Sequence, residues 1–459
     1  MNCDVAVIGG GLAGMTCAVR AAMTGRKTIV LERSSDDLYL CNSRMATGVF
    51  HVAFNSPALD ATTLERRTRE SLGAGANEEL LVTLCKGALG ALAWLREVAG
   101  ARFISEGDDP AYAFVLAPSA VGKFGREWQG RGADLLLRSL EQVLLRHEGG
   151  VRRGRAVKHL TMHDGRCTGV TGESFEITAS AVVIADGGFQ ANLERLAGRI
   201  SPAPERLVQR NARTGVGDGL RMAQEAGAAL ADRGGFYGHL QSRSALKDDR
   251  LWPYPWADEL ARACVVVGGD GRRLADEGWG GIYLANRIAA LPDPASTWVI
   301  CDQPGWEGPG AERGTSLNPQ LERMGGTVVR APSLEALAAQ CRIDGASLAR
   351  TVSEYNATIV AGTTAELSPP RTVSRYEAWP IRRAPFYAIP IVPGITYTLG
   401  GISIDGDARA LREDASPIPG LYAAGSTTGG LEGGERVGYV GGLIKATVTG
   451  LAAAEHICR

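Results

Sequence analysis

The chain has 459 residues, of which 45% are hydrophobic and 22% are charged, and its formal net charge is -1. This length and composition are typical of a globular protein of two or more domains, while the balanced charge gives no reason to expect a nucleic-acid partner or an anionic membrane surface. No apolar run is long enough to span a bilayer, and the nine cysteines form neither CxxC nor CxxCH. We therefore expect a cytoplasmic protein with reduced thiols and no membrane span, metal site, haem or iron–sulfur cluster.

The first elements in chain order predict a dinucleotide-binding βαβ unit. Residues 5–8 form an apolar, β-branched strand, a helix follows a glycine-rich turn, and a second strand over 28–31 ends at Glu32. The glycines of the GxGxxG turn are Gly9, Gly11 and Gly14. In such a unit the glycines allow a tight turn, a close approach to the pyrophosphate and close helix–strand packing, and the acidic residue accepts hydrogen bonds from a ribose. By itself this unit does not distinguish FAD from NAD as the bound dinucleotide.

The later elements predict that a second unit is inserted into the first. Helical periodicity is found within 61–100 and over 131–148, and a buried strand over 181–184 leads to a helix predicted over 220–230. Tryptophan, tyrosine and proline become frequent between 237 and 385, and strand, turn and helix return from 386 onward. We therefore divide the chain into a first part at 1–236, an inserted unit at 237–385 and a second part at 386–459.

Six motifs in this order resemble the flavoprotein family of fumarate reductase and succinate dehydrogenase, which includes 3-ketosteroid dehydrogenases and tricarballylate dehydrogenase. After the fingerprint come ADGGF at 185–189, TGVGDGLRMAQEAGA at 214–228, GRRLADE at 271–277, TLGGISID at 398–405 and PGLYAAGSTTGG at 419–430. The resemblance implies FAD, bound in an α/β Rossmann-type domain built from both chain ends, with an inserted α+β capping domain. A second GxGxxG for NADH is absent from the sequence, so a nicotinamide is not expected as a direct partner.

The resemblance also assigns the FAD contacts. The fingerprint holds the pyrophosphate and adenosine ribose, the segment 42–48 passes the isoalloxazine ring, and the last helix directs its N-terminus at the reduced flavin. The implied positions are Gly9, Gly11, Gly14, Glu32, Asn42, Ser43, Thr47, Gly48, Asp186, Gly187, Asp218, Gly425, Ser426, Gly441, Gly442 and Leu443. Relatives that bind FAD covalently carry a histidine where this chain reads LCNSRMATG, so we expect non-covalent FAD.

The chemistry of this family moves a hydride and a proton across a carbon–carbon bond, so the site needs a proton-transferring side chain. Fumarate reductases use an arginine four residues after the glutamate of the GRRLADE-like motif, and this chain has Gly281 at that position. Ketosteroid dehydrogenases place a catalytic tyrosine in that neighbourhood, where this chain has Tyr283. Tyr283 is therefore a candidate base, with a packing residue at the start of a helix as the alternative.

A second departure from fumarate reductases lies in the motif TYTLGG. Tyr397 stands where fumarate reductases carry a carboxylate-binding histidine, and Gly401 follows four residues later. Ketosteroid dehydrogenases hold the ketone oxygen with a tyrosine and a glycine N–H at this spacing, and neutral donors of this kind stabilise a developing enolate. The resemblance thus implies that Tyr397 and Gly401 bind a carbonyl; a strand tyrosine in the core is the alternative.

Two other residues favour a carboxylate substrate. Arg436 resembles the substrate-binding arginine of a GANRLGG-type motif, although the spacing after it is one residue longer, and His239 resembles a substrate-contacting histidine at the start of the capping domain. An exposed arginine and a structural histidine are the alternatives.

Together these features predict an FAD-dependent dehydrogenase that desaturates a bond next to the carbonyl of a cyclic ketone or keto acid. An unidentified electron acceptor is expected besides the small carbonyl or carboxylate substrate. The alternatives are a polycarboxylate dehydrogenase of the tricarballylate type, an ene reductase working in the opposite direction, and an FAD-binding protein without turnover.

Overall fold

The computed structural model describes residues 2–123 and 127–459. Its strands are β1 (Asn2–Ile8), β2 (Thr28–Leu31), β3 (Phe103–Ile104), β4 (Val115–Leu116), β5 (Gly150–Arg152), β6 (Val157–His163), β7 (Arg166–Gly172), β8 (Phe175–Ile184), β9 (Val208–Gln209), β10 (Leu230–Ala231), β11 (Phe236–Ser242), β12 (Val265–Val267), β13 (Thr297–Asp302), β14 (Val329–Ala331), β15 (Phe386–Thr398), β16 (Gly401–Ile402), β17 (Arg409–Leu411) and β18 (Pro417–Ala423).

The α-helices connect these strands and cover the sheets. They are α1 (Leu12–Ala22), α2 (Asn42–Met45), α3 (Ala61–Leu72), α4 (Glu78–Ala99), α5 (Gly132–Arg146), α6 (Leu193–Ala197), α7 (Asp218–Glu225), α8 (Asp258–Ala263), α9 (Gly281–Ala289), α10 (Gln303–Glu307), α11 (Gln320–Arg323), α12 (Leu334–Cys341), α13 (Gly345–Ala361) and α14 (Gly442–Ile457).

The larger sheet joins the two ends of the chain. Its main order is β17-β18-β8-β1-β2-β5, and the pairs from β18 to β5 are parallel, while β6, β7 and β17 add antiparallel pairs. All four residues of β2 are buried, as expected for a parallel strand covered on both faces. Helices α1 and α14 pack against each other beside this sheet. The predicted βαβ unit and the closing strand–turn–helix segment therefore share one core.

The smaller main sheet contains β11-β15-β13-β12, with β9 and β14 also paired to the long strand β15. Helices α12 and α13 contribute a second apolar core beside it. The predicted boundaries at 237 and 385 pass through this sheet, because β9 and β15 lie outside 237–385 and yet are hydrogen-bonded in it. The division into three segments therefore remains a prediction, and the sheet itself draws on both flanking segments.

One helix is shorter than its pattern predicts. The helix expected over 220–230 begins at Asp218 and ends at Glu225, and Leu230–Ala231 forms a strand with Gly401–Ile402. Gly227 has a φ of +85°, a left-handed conformation that ends a helix, and the Ala228 N–H donates to the Ala223 carbonyl. In the part of the chain that the structure describes, no helix combines the length and apolarity needed to cross a membrane.

Candidate active site and cofactor cleft

A long cleft opens where the parallel strands of the larger sheet end and continues to the smaller sheet. Ligands of open α/β sheets bind at these carboxyl ends, where loops and helix N-termini meet. Most of the predicted positions line the cleft: Gly9, Gly11, Glu32, Asn42, Ser43, Thr47, Asp186, Gly187, Asp218, Tyr397, Gly425, Ser426, Gly442 and Leu443. We call the end at Gly9 and Glu32 the fingerprint end, and the end at Tyr237, Tyr397 and Tyr439 the tyrosine end.

Two of the three fingerprint glycines leave no room for a side chain. Gly9 has a φ of +100°, and a Cβ there would lie 2.6 Å from the Ala185 carbonyl oxygen. A Cβ on Gly14 would lie 2.1 Å from the Gly9 carbonyl oxygen, so the absence of a side chain at Gly14 lets α1 pack directly against the turn. A Cβ on Gly11 would meet only Ser43 Oγ, at 3.5 Å, which leaves that backbone open to the cleft. This is the arrangement that lets a pyrophosphate approach the chain.

Glu32 and Ser43 fix the geometry of the same turn. The Gly10 N–H donates to Glu32 Oε2 at 3.2 Å and the Ser34 N–H to Oε1 at 2.9 Å, so the carboxylate is held at the end of β2. The Leu12 N–H at the start of α1 donates to Ser43 Oγ at 3.0 Å. The carboxylate oxygens keep further acceptor positions for ribose hydroxyls.

Two further acidic residues line the cleft, Asp186 and Asp218. Asp186 Oδ2 accepts from the Gly219 N–H at 2.7 Å, and burial raises the pKa of Asp186 to about 6. Asp218 begins α7 and lies 3.7 Å from Arg33 Nη1, beside the end of β2. Both residues line the cleft close to the fingerprint end, since a Cβ on Gly9 would lie 2.9 Å from the Asp186 Cα. The atoms of FAD that they contact remain a prediction.

The segment 42–48 links the larger sheet to the smaller one. Asn42 Nδ2 donates to the Thr396 carbonyl at 2.9 Å, and Asn42 Oδ1 accepts from the Ala212 N–H at 2.9 Å. Gly48 has a φ of +89° and packs on Leu116 rather than lining the cleft. Asn42, Ser43 and Thr47 of this segment line the same cleft as Gly442 and Leu443 at the start of α14, so both would contact a bound isoalloxazine ring, and the glycine turn fits the pyrophosphate. The residues present therefore fit FAD.

At the tyrosine end, Tyr397 is tied to a buried ion pair. Its O–H donates to Glu432 Oε1 at 2.9 Å, and Glu432 Oε2 accepts from Lys445 Nζ at 2.9 Å. Glu432 and Lys445 are 0% and 3% exposed. Burial, followed by the Glu432 carboxylate, raises the pKa of Tyr397 well above its usual range, so Tyr397 remains a neutral phenol.

Tyr237 is tied to a different partner, a histidine–aspartate pair. Tyr237 Oη lies 3.0 Å from His239 Nε2, and His239 Nδ1 lies 2.6 Å from Asp258 Oδ2. Burial lowers the pKa of His239, so the imidazole is neutral, with its proton on the nitrogen facing Asp258. His239 Nε2 is then the acceptor of the Tyr237 proton. The three residues are arranged as a phenol, a base and an orienting carboxylate.

Three tyrosines form the wall at this end. The rings of Tyr237 and Tyr439 stack with centroids 3.8 Å apart, and Tyr397 lies 5.6 Å from Tyr237 and 6.1 Å from Tyr439. His51 packs edge-on against Tyr439, with centroids 5.4 Å apart, and also lines the cleft. The wall therefore combines several polar atoms with an otherwise aromatic surface.

An arginine, Arg210, also reaches this part of the cleft. Arg210 is 9% exposed, and its Nη1 donates to Thr396 Oγ1 at 2.9 Å. Its buried Nε has no hydrogen-bond partner, and no ion pair of Arg210 is found within the described ranges. A buried guanidinium without a carboxylate is costly unless a ligand neutralises it.

Three residues predicted to be catalytic lie elsewhere. Tyr283 lies in the first turn of α9 and is half-buried against the main core, outside the described lining of the cleft. Arg436 is exposed, with its guanidinium 3.7 Å from the centroid of the Trp279 ring. Gly401 pairs with Ala231, and a Cβ on it would lie 2.2 Å from the Thr427 carbonyl oxygen. The structure brings Tyr397 to the cleft wall but not these three, and their catalytic roles remain predictions.

Four residues at the site were missed by the sequence reasoning: Tyr237, Arg210, Glu432 and His51. Tyr237 carried a usable signal, because it stands two residues before His239 and alternate strand residues share a face. His239 itself is not part of the described lining of the cleft; it is hydrogen-bonded to Tyr237, which is. Arg210 and Glu432 carried none, because each is distant in sequence from the residues it meets.

The chain is similar to a known family and to characterised proteins. Residues 4–440 match the family model described as FAD binding domain. The chain is 26% identical over 485 residues to fumarate reductase (cytochrome) of Shewanella frigidimarina, covering 99% of this chain and 77% of that protein. It is 28% identical over 530 residues to 4-oxocyclohexanecarboxylate 2-dehydrogenase of Sinomonas cyclohexanicum, covering 95% of this chain and 89% of that protein.

A solved structure shows the same fold. The chain aligns with 3-ketosteroid delta1-dehydrogenase of Sterolibacterium denitrificans at a TM-score of 0.77 and 19% identity, covering 100% of this chain and 99% of that one. This likeness confirms the predicted fold class, and the family match confirms FAD as the cofactor. The chain belongs to the FAD-binding domain family, and it is an FAD-dependent oxidoreductase related to flavoenzymes that act on carbon–carbon bonds.

Proposed function

We propose that the protein desaturates the carbon–carbon bond next to the carbonyl of a small cyclic keto acid. The observation that carries this proposal is the hydrogen-bonded series Tyr237–His239–Asp258, which opens onto the cleft beside Tyr397. Bound FAD supplies the acceptor for the hydride that leaves the β carbon. The chain itself has to remove the proton at the α carbon and stabilise the charge that develops on the carbonyl oxygen.

Tyr237 is the proposed base. As the α proton moves to the Tyr237 oxygen, the phenol's own proton moves to His239 Nε2. The resulting imidazolium is stabilised by Asp258, whose Oδ1 is also fixed by the Leu240 N–H at 2.8 Å. No net charge is left on the phenol during this transfer, which matters because burial raises the pKa of Tyr237 and disfavours a free phenolate.

Tyr397 is the proposed donor to the carbonyl oxygen. It stays protonated because burial and Glu432 disfavour its phenolate. Glu432 Oε1 also accepts from the Val440 N–H at 3.1 Å, so the carboxylate keeps other donors when the phenol turns toward a ligand. A neutral donor suits an enolising ketone because it stabilises the enolate only as charge develops.

Arg210 is the proposed anchor for the substrate carboxylate, in place of the predicted Arg436. It is a buried cation at the tyrosine end, and its unpaired Nε favours an anionic ligand. A relative whose name specifies a cyclic keto acid, 4-oxocyclohexanecarboxylate, supports this substrate class. The same residues would serve the reverse reaction. The proposal therefore names the carbon–carbon bond that reacts and assigns no direction to the reaction.

The test is anaerobic mixing of the oxidised holoenzyme with three compounds: 4-oxocyclohexanecarboxylate, cyclohexanone and tricarballylate. We expect the keto acid to bleach the visible flavin absorption fastest, and cyclohexanone to do so at higher concentrations. Bleaching by tricarballylate alone would instead support the polycarboxylate dehydrogenase. If none of the three reduces the flavin, and the chemically reduced enzyme does not reduce the corresponding enone, the proposed function is wrong.

Replacing the anchor separates binding from chemistry. Arg210→Met should raise the KM for the keto acid by roughly 10- to 100-fold, since a charge-assisted pair is lost, and leave turnover of cyclohexanone nearly unchanged. Arg213→Met is the matched control, because Arg213 is exposed and lies only three residues away. Equal losses for the charged and the uncharged ketone would contradict a carboxylate anchor.

A further inference from the structure

His51 presents an unused hydrogen-bond donor to the cleft. Its Nδ1 accepts from the Phe54 N–H at 3.1 Å, which places the proton of the neutral ring on Nε2. No hydrogen bond to Nε2 is found among the residues that the structure describes, and the ring lines the cleft. Burial lowers the pKa of His51 to about 4, so the ring is neutral in the physiological range.

The position of this ring is tightly fixed. Phe54 stacks on it with centroids 4.8 Å apart and Tyr439 meets it edge-on. The backbone on either side is also held, since the Phe50 N–H donates to the Phe114 carbonyl at 2.8 Å and the Ala53 N–H to the Val440 carbonyl at 2.9 Å. A donor held in this way loses little conformational entropy when a ligand binds.

His51 and Tyr397 both lie close to the start of α14. At the start of α14, a Cβ on Gly441 would lie 3.3 Å from His51 Cε1, and a Cβ on Gly442 would lie 3.6 Å from Tyr397 Oη. The two side chains therefore lie beside adjacent residues at one helix N-terminus. Gly401, which was expected to donate beside Tyr397, is instead packed against Thr427 and lies outside the described lining of the cleft.

We infer that His51 Nε2–H is the second donor to the oxygen of the substrate carbonyl, acting together with Tyr397. This inference rests on the proposed function, in that it takes the ligand to be a ketone whose oxygen gains charge. A neutral imidazole N–H is well suited to this role, because its proton is not lost to the oxygen as charge develops. The residue acts on the carbonyl oxygen and takes no proton from the α carbon.

The test measures binding, so it does not depend on turnover. The probes are 4-hydroxybenzoate, a planar mimic with an oxygen opposite its carboxylate, and benzoate, which lacks that oxygen; both are titrated into the oxidised holoenzyme by calorimetry. The wild type should prefer 4-hydroxybenzoate. His51→Phe should lower its affinity for 4-hydroxybenzoate roughly five- to tenfold and leave benzoate unchanged, while His51→Gln, which keeps an N–H, should retain part of the preference.

Several outcomes would overturn the inference. It fails if the wild type shows no preference between the two acids, if His51→Phe weakens both equally, or if the flavin remains attached to the acid-precipitated chain through His51. His163→Phe is the control, since His163 is 78% exposed and lies outside the described lining of the cleft. Failure of every cyclic ketone to reduce the flavin would count against the proposed function and not against this binding difference.

A second measurement examines the ring without any ligand. In protein labelled with ¹⁵N-histidine, the signal that disappears in His51→Phe should report a neutral ring protonated on Nε2. A ring protonated on Nδ1, or an imidazolium near neutral pH, would contradict the inference.

Discussion

The two ends of the cleft are built from different parts of the polypeptide. At the fingerprint end, backbone groups and glycines such as Gly9 and Gly11 form the surface, and the key side chain, Glu32, is held by backbone N–H groups. At the tyrosine end, the surface is made of side chains whose polar atoms bond to other side chains, as in Tyr237–His239 and Tyr397–Glu432. The difference teaches that a shared cofactor can be recognised by a fixed backbone geometry, while a particular substrate needs side chains that vary independently.

The largest expected effect is at the tyrosine end. Tyr237→Phe should slow reduction of the flavin by substrate roughly 100- to 10,000-fold, because the proposed base is removed, while FAD content stays unchanged. Rapid-mixing spectroscopy under anaerobic conditions measures this rate. The matched control is Tyr422→Phe, which removes another histidine-bonded phenol, 2.9 Å from His456 Nδ1 and outside the described lining of the cleft. Similar losses in both variants would contradict a proton-transfer role.

The next effect concerns charge beneath the tyrosine end. Lys445→Met should lower the free energy of unfolding by about 3–5 kcal/mol, because Glu432 is left buried without its cation. Adding Glu432→Gln should recover most of that loss, as chemical denaturation would show. Arg66→Met is the control, since the exposed Arg66–Glu70 pair should contribute less than about 1 kcal/mol. A double variant as unstable as the single one would show that the lysine acts through packing alone.

At the fingerprint end, FAD affinity should depend on the lack of a side chain at Gly9. Gly9→Ala should weaken FAD binding on the order of 100-fold, since the added Cβ would meet the Ala185 carbonyl oxygen at 2.6 Å in a left-handed conformation. Fluorescence titration of the apoprotein with FAD measures the affinity. Gly90→Ala should leave it unchanged, because Gly90 is helical and the added methyl group would have no neighbour within 4 Å beyond its own helix backbone. Undiminished FAD affinity in Gly9→Ala would contradict the tight-turn account.

The smallest effect depends on pH and concerns Glu259, a buried acid behind the tyrosine end. Its Oε1 accepts from Trp256 Nε1 at 2.9 Å, its Oε2 has no partner, and burial raises its pKa from 4.5 to about 7. Because the folded state favours the protonated acid, the stability that this group contributes is fully present at low pH and is lost as pH rises through 7.

Glu259→Gln should therefore match the wild type near pH 4.5 and be more stable above pH 7, by about 1–3 kcal/mol. Denaturation of the apoprotein at a series of pH values measures the difference. A constant difference across the series would show that Glu259 does not titrate in this range.

The fold was largely predictable from local patterns. The strand at 28–31, the helix within 12–22 and the final helix all follow from apolar periodicity and glycine position, and the structure places them accordingly. The helix after Gly217 was predicted too long, because the left-handed turn at Gly227 and the pairing of Leu230 with Ile402 override the helical pattern. A strand pair between residues more than a hundred positions apart produces no pattern in the local sequence.

By itself, the sequence determined the cofactor end of this protein. The reason is physical: a turn that must approach a pyrophosphate excludes every Cβ, so its glycines stand at fixed spacings within one contiguous segment. Only the tertiary structure decided which side chains meet at the substrate end, because β11, β15 and the loop before α14 bring together residues from distant segments. Tyr237, Arg210 and His51 line the cleft together with Tyr397, whereas Tyr283, Arg436 and Gly401 lie outside its described lining. The partners of the lining residues come from distant segments, which no local pattern encodes.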